Sequence, residues 1–271
     1  MARLSNNLIG FLNILTAVLS IFIIVIGFFF KFKGFSECQK LLQLPLLIFG
    51  AFLLFVSLLG LIGSCCRVSY LLCFYLFVMF LLIVATFVFT IFAFVVTNKG
   101  VGKVISGTGY KEYKLGDYSN WLQKHVVDGD KWNKIKSCLI DAQVCRSLGQ
   151  DANQRTSHFY QKNLSPIQSG CCKPPTYCKF IYKNATFWKV PRSGPAVPDS
   201  DCTAWSNQQQ TLCYGCKSCK AGFLANLRTG WRKIAIVNIS VLVFIMLVYT
   251  IGCCAYRNSR EDRYRYQGAY H

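Results

Sequence analysis

Four long apolar runs and one long cysteine-rich polar stretch predict an all-α membrane protein. The expected architecture is a four-helix transmembrane bundle with a disulfide-rich, mainly helical large extracellular loop. Three observations carry that expectation. Apolar residues make up 53% of the 271 and charged residues only 15%, where a soluble domain carries about 25% charged; the mean hydropathy is +0.35. Each apolar run is long enough as a helix to cross a hydrocarbon core of about 30 Å. Nine of the 15 cysteines fall in the single long polar region, a density that belongs in an oxidising compartment.

Residues 1–7 form a cytoplasmic N-terminus, and 8–30 the first span, uncharged throughout. A cleaved signal peptide would have a shorter apolar run and a small-residue cleavage site. Asn13, Ala17, Ser20 and Gly27 give this span one small, polar face, the kind that lets helix backbones approach closely in lipid. A small extracellular loop, 31–43, carries a single Cys38. The second span is 44–64, with Pro45 expected in its first turn and Gly50, Ser57, Gly60 and Ser64 on one side. A cytoplasmic loop, 65–69, leads into the third span, 70–97, whose small face is Thr86, Thr90, Ala93 and Thr97. The large extracellular loop is 98–232, the fourth span 233–256 and the cytoplasmic tail 257–271.

Orientation follows from the arginines and lysines beside the short loops. Arg3, Arg67, Arg257, Arg260, Arg263 and Arg265 lie on one side, and Lys31, Lys33 and Lys40 on the other; the richer side is cytoplasmic. The large loop itself holds 20 Lys and Arg against 8 Asp and Glu, a net of +12 within the whole-chain +19. No helix-turn-helix, RNP or zinc-finger pattern accompanies this basicity, so nucleic acid is not expected as a partner. A solvated basic outer face, towards an acidic polysaccharide or lipid surface, is the expected use of the charge.

The large loop is organised around Gly170, Cys171, Cys172, Lys173 and Pro174, continuing through Pro175 to Cys178. A bond between adjacent cysteines would be strained, so Cys171 and Cys172 are expected to bond different partners. The two prolines exclude a helix there and stiffen the segment. Tyr118, Trp121, Leu122, His125 and Val126 recur at helical spacing, as do Trp132, Ile135, Leu139 and Ala142; His125 is read as a satisfied core histidine. Cys138 and Cys145, placed in one helix, are about 10.5 Å apart and cannot bond each other. From 180 to 202 the prolines and Gly194 predict irregular chain. A last helix is expected from Ala204 or later, through CYGCKSCK, into the fourth span. With Cys178, Cys202, Cys213, Cys216 and Cys219 the loop holds nine cysteines, and a tie from Cys38 would make ten; the connectivity stays open.

Sequons place glycosylation at Asn184 and Asn163, and leave Asn238, inside the fourth span, unused. Cys65, Cys66, Cys73, Cys253 and Cys254 lie at cytoplasmic membrane edges and are palmitoylation candidates. Cys213-x2-Cys216-x2-Cys219 lacks a partner motif for a zinc site, so disulfides are expected there, with no metal and no cofactor. No charge or proline interrupts the interiors of the spans, which argues against a transporter. Three histidines, and no nucleophile motif or phosphate loop, argue against an enzyme.

Four spans, one short and one large outer loop, and a glycine–double-cysteine motif in the large loop resemble the tetraspanins over essentially the whole chain. The order GCCKPP, with Cys138-x6-Cys145 and CYGCKSCKAG, is similar to the plant members; animal members typically carry CCG. Where many animal members have acidic or amide residues in spans three and four, this third span has only threonines, so polar coupling between spans would rest on Asn13 and Asn238. The resemblance implies a plasma-membrane scaffold, in part sorted to endosomes or extracellular vesicles. It would bind other membrane proteins laterally, assemble as homo- or hetero-oligomers with related tetraspanins, and serve cell differentiation, development or cell–cell signalling in a plant. Phe187 and Trp188, in the Pro- and Gly-rich stretch, are the residues expected to be exposed for partner binding. The alternative is an adhesion or receptor subunit whose basic outer loop binds an extracellular ligand directly.

Overall fold

The computed structural model describes residues 2–33, 37–66, 69–98, 102–105, 108–149 and 156–268. Two compact units emerge: residues 1–35, 39–92 and 235–271 form one, and residues 36–38 and 93–234 the other.

The first unit is built from long helices. α1 (Ala2–Lys33), α2 (Glu37–Cys65) and α3 (Ser69–Val96) come in succession. Each contains a stretch long and apolar enough to span a bilayer: 7–30, 43–65 and 70–96. A fourth such stretch lies in the long C-terminal helix, whose residues from 235 onward belong to this unit. Large apolar side chains such as Phe11, Leu15, Val18 and Phe22 are exposed, while Asn13, Ser20, Ser57 and Ser64 are buried. That inversion suits a hydrocarbon solvent, in which close backbone packing, rather than hiding apolar surface, holds helices together. Gly60 shows the mechanism. A Cβ there would run into the amide of Asn13, which itself bonds the Ile9 carbonyl at 2.9 Å and the side chain of Tyr75. An apolar centre of Ile9, Val56, Leu72, Tyr75, Leu76, Met79, Val248 and Ala255 completes the packing.

Two boundaries differ from expectation. Pro45 lies inside α2, not in its first turn, because the helix begins at Glu37 and takes in much of the expected small loop. The last helix runs unbroken from Lys217 to Gly268.

The second unit has its own core. Its elements begin with β1 (Lys103–Val104) and β2 (Lys111–Glu112), a short antiparallel pair. α4 (Asn120–Val126) and α5 (Gly129–Asp141) follow, then α6 (Arg146–Gly149), α7 (Thr156–Gln161) and α8 (Pro166–Cys171). A hairpin, β3 (Ile181–Asn184) with β4 (Phe187–Lys189), precedes α9 (Ser200–Ala204) and α10 (Lys217–Gly268). Ser119 caps α4 by accepting the Leu122 amide. α5 offers Trp132 and Leu139 to the interior; the Trp132 indole donates to the Tyr214 carbonyl at 3.2 Å and its ring meets Phe223 edge-on. Phe159, fully buried, sits among Tyr110, Tyr160, Tyr182 and Trp188, all with ring centroids within 6.1 Å of it.

Three local expectations are corrected. His125 is exposed, not core: its ring stacks on Trp121 at 4.8 Å. α5 stops at Asp141, and Gln143 takes a positive φ of 49°, so Cys145 lies beyond the helix that was expected to carry it. The stretch expected to be irregular contains the β3–β4 hairpin, formed because Tyr182 and Trp188 face each other across the strands and bury against Phe159.

Candidate functional site

The glycine–cysteine segment is aimed by α8. Ser165 accepts the Gln168 amide and Gln168 Oε1 accepts the Ser165 amide, a reciprocal cap with Pro166 in the first turn. Ser169, Gly170 and Cys171 are thereby delivered, buried, into the last turn. Cys171 bonds Cys219 and its neighbour Cys172 bonds Cys145, so adjacent thiols tie α8 to two different elements. Gly170 is required by contact. A Cβ would overlap the Ser218 carbonyl, and that close approach lets Ser218 Oγ donate to the Gly170 carbonyl at 3.1 Å.

Lys173 carries a role the sequence pattern does not reveal. It is 1% exposed, its ammonium bonds Glu112 Oε1 at 2.5 Å, and it sits 4.7 Å from the centroid of the Tyr110 ring. Burial pushes its pKa down, and the charge and hydrogen bond of Glu112 oppose that. Glu112 also accepts the amide and the hydroxyl of Thr176, each at 2.9 Å. One carboxylate thus anchors both sides of the Pro174–Pro175 knuckle to β2. A buried pair of this kind costs little only while both partners and their hydrogen bonds are present.

The third strut is Asp201, 2% exposed. Its two oxygens accept the Lys217 and Ser218 amides at 2.7 Å each, satisfying donors at the start of α10 that have no partner within the helix. This fixes the helix start at Lys217 and corrects the expected helix through CYGCKSCK. Cys213 and Cys216 lie instead in a turn with Leu212 at a φ of 31°, bonded to each other. Cys178 bonds Cys202, and Cys138 is disulfide-bonded as well. The expected tie from Cys38 falls outside the described side chains. Among the described residues no group of His, Cys, Asp or Glu is arranged to hold a metal.

The expected recognition pair separates. Phe187 is 48% exposed, but Trp188 is 4% exposed; its indole donates to the Ala185 carbonyl and its ring packs on Phe159. Alternation along the strand puts neighbouring side chains on opposite faces, and the face that packs on Phe159 takes Trp188 and leaves Phe187 outside. Ile181 and Val190 are exposed with Phe187, flanked by Lys183 and Lys189. Of the glycosylation candidates, Asn163 is exposed and Asn184 half-buried, its Oδ1 accepting the Thr186 amide. Asn238 donates to the Thr86 carbonyl at 3.1 Å and to Thr90 Oγ1 at 2.6 Å, joining α10 to α3. Cys65, Cys66, Cys73, Cys253 and Cys254 are free and exposed.

A family model described as the Tetraspanin family matches residues 5–258. The chain belongs to the tetraspanin family. Tetraspanin-8 of Arabidopsis thaliana is 52% identical over 97% of this chain and 96% of its own length. Tetraspanin-7 of the same plant is 50% identical over 96% of this chain and 99% of its own, and Tetraspanin-11 is 46% identical over 97% and 98%. No solved structure matches. The four apolar helices and the disulfide-rich region between the third and fourth are those of a multi-pass membrane protein of this family, which implies a membrane scaffold role.

Proposed function

We propose that this tetraspanin organises partner proteins into plasma-membrane microdomains, in plant cell differentiation, development or cell–cell signalling, and that it does so as a scaffold, not an enzyme. The observation that carries the reading is the β3–β4 hairpin. Ile181, Phe187 and Val190 are exposed beside Lys183 and Lys189 on a unit held by Cys145–Cys172, Cys171–Cys219 and Cys178–Cys202. A rigid surface of apolar and cationic side chains suits protein contacts, since little ordering entropy is spent on binding. The termini are cytoplasmic and the second unit extracellular, in keeping with its disulfides. Cys38 is tied to the large loop. Cys65, Cys66, Cys253 and Cys254, with Cys73, are acylated and favour clustering, and Asn163 and Asn184 carry glycans. Related tetraspanins are its oligomeric partners, and a fraction is sorted to endosomes or extracellular vesicles.

Quantitative affinity capture in mild detergent tests this. It compares the intact chain, the pair Cys171→Ser with Cys172→Ser, the pair Ile181→Ser with Phe187→Ser, and a chain whose residues 98–232 come from a relative. The partner set should follow the outer unit and shrink with the hairpin pair. If correctly trafficked variants all keep the same partners, recognition lies in the spans and this role for the hairpin is wrong.

A further inference from the structure

Away from the hairpin, two adjoining cavities of about 470 Å³ and 420 Å³ share Tyr113, Lys114, Tyr177 and Ser218 in their walls, the two lobes of a cleft. Lys103 lines one end and Lys217 the other. Either volume lies in the range of small-molecule sites, roughly 300–1,000 Å³. The tyrosine rings, half-buried at the junction, offer apolar faces; burial raises the pKa of both phenols, keeping them neutral donors.

The carboxylates around this cleft are already engaged by fixed donors. Glu112 is held by Lys173 and Thr176, and Asp201 by the first two amides of α10. Asp199 accepts the Asp201 amide and the Tyr177 hydroxyl. Lys103, Lys114 and Lys217 are exposed and make no ion pair among the described residues. The cleft therefore carries three exposed cations beside two half-buried tyrosines, while the lone pairs of its wall carboxylates are already occupied by protein donors. A small single anion would satisfy one of these lysines. An elongated ligand bearing a carboxylate on each unit, with an apolar ring face between, satisfies all of them.

We propose that this cleft binds an acidic oligosaccharide, a chain of uronic acid units, with Tyr113 and Tyr177 stacking on sugar rings and the lysines pairing with the carboxylates. The site goes beyond the scaffold reading and stands apart from it, because partner capture through the hairpin does not require the cleft. The test uses the full chain in lipid nanodiscs, titrated calorimetrically with an oligomer of galacturonic acid and with its fully methyl-esterified form. Lys114→Gln and Lys217→Gln are measured singly, and Lys124→Gln with Lys134→Gln, on α4 and α5, serves as the control. The acid should bind at least about tenfold more tightly than the ester; each cleft substitution should weaken it about five- to tenfold, as expected for loss of one charge-assisted contact. The control pair should leave binding within about twofold. The proposal is overturned by equal binding of acid and ester, by no binding, or by a control effect as large as that of the cleft variants. Tighter binding of an acidic peptide such as oligoglutamate would also overturn it, in favour of a protein ligand.

Discussion

The two units solve opposite solvent problems with one chain. In the membrane unit small or polar residues such as Asn13, Ser20, Ser57 and Gly60 share the interior with a few bulky apolar ones, and many of the bulky aliphatics and phenylalanines face outward. In the outer unit the bulk is inside, with Phe159, Trp132, Trp188 and Tyr214 buried, and covalent bonds hold what so small a core holds weakly. The difference teaches that burial in this protein has no single meaning. Burying a large ring stabilises the outer unit, while burying small residues lets the spans approach closely.

This contrast can be broken from either side, and the outer side should break harder. Replacing Cys171 and Cys172 together by serine opens loops of 48 and 27 residues, each closure contributing about 4 kcal/mol in the chain-entropy account. The outer unit should lose protease resistance altogether while the helical signal of the spans persists in detergent. Loss of both together would show that the units do not melt separately. Next comes Glu112→Gln, which strands the Lys173 ammonium in the interior. A loss of roughly 3–5 kcal/mol is expected, and Lys173→Met in the same background should recover much of it. If the double variant is no more stable in a urea titration than the single, the ion pair is not what Glu112 contributes. In the membrane unit, Gly60→Val should cost about 1–3 kcal/mol by overpacking against Asn13, read as a lower detergent melting temperature with the outer unit's protease resistance unchanged. The smallest effect should be Asn238→Leu, which removes the bonds to Thr86 and Thr90 for about 0.6 kcal/mol, at most about 1.7. A larger loss there would mean that hydrogen bonds, rather than close packing, dominate the membrane unit.

What could be read from the sequence divides along the same line. Apolar length locates the spans, and small residues at helical steps locate their contact faces, because these features repeat within one element. The divergent pairing of Cys171 and Cys172 was legible from local geometry alone. The errors arise where a distant residue decides. Trp188 is buried because Phe159 lies beneath it, and no period within 180–202 shows that. The start of α10 is set by Asp201, sixteen residues upstream of the first amide it caps. Lys173 looks like an ordinary exposed lysine until Glu112, 61 residues earlier, is placed against it. The reciprocal cap of Ser165 with Gln168, by contrast, lies within one turn and is readable as S-x-x-Q with a proline after the serine.

The bond between Cys171 and Cys219 also sets a timetable for biosynthesis. Cys145 can meet Cys172 as soon as that short segment has left the ribosome. Cys171 must then wait while 48 further residues are made. Its partner arrives only sixteen residues before Ala235, where the residues of the membrane unit resume. Throughout that interval an unpaired thiol sits beside a finished bond, free to attack it, and translation speed over this segment becomes part of how faithfully the molecule is made.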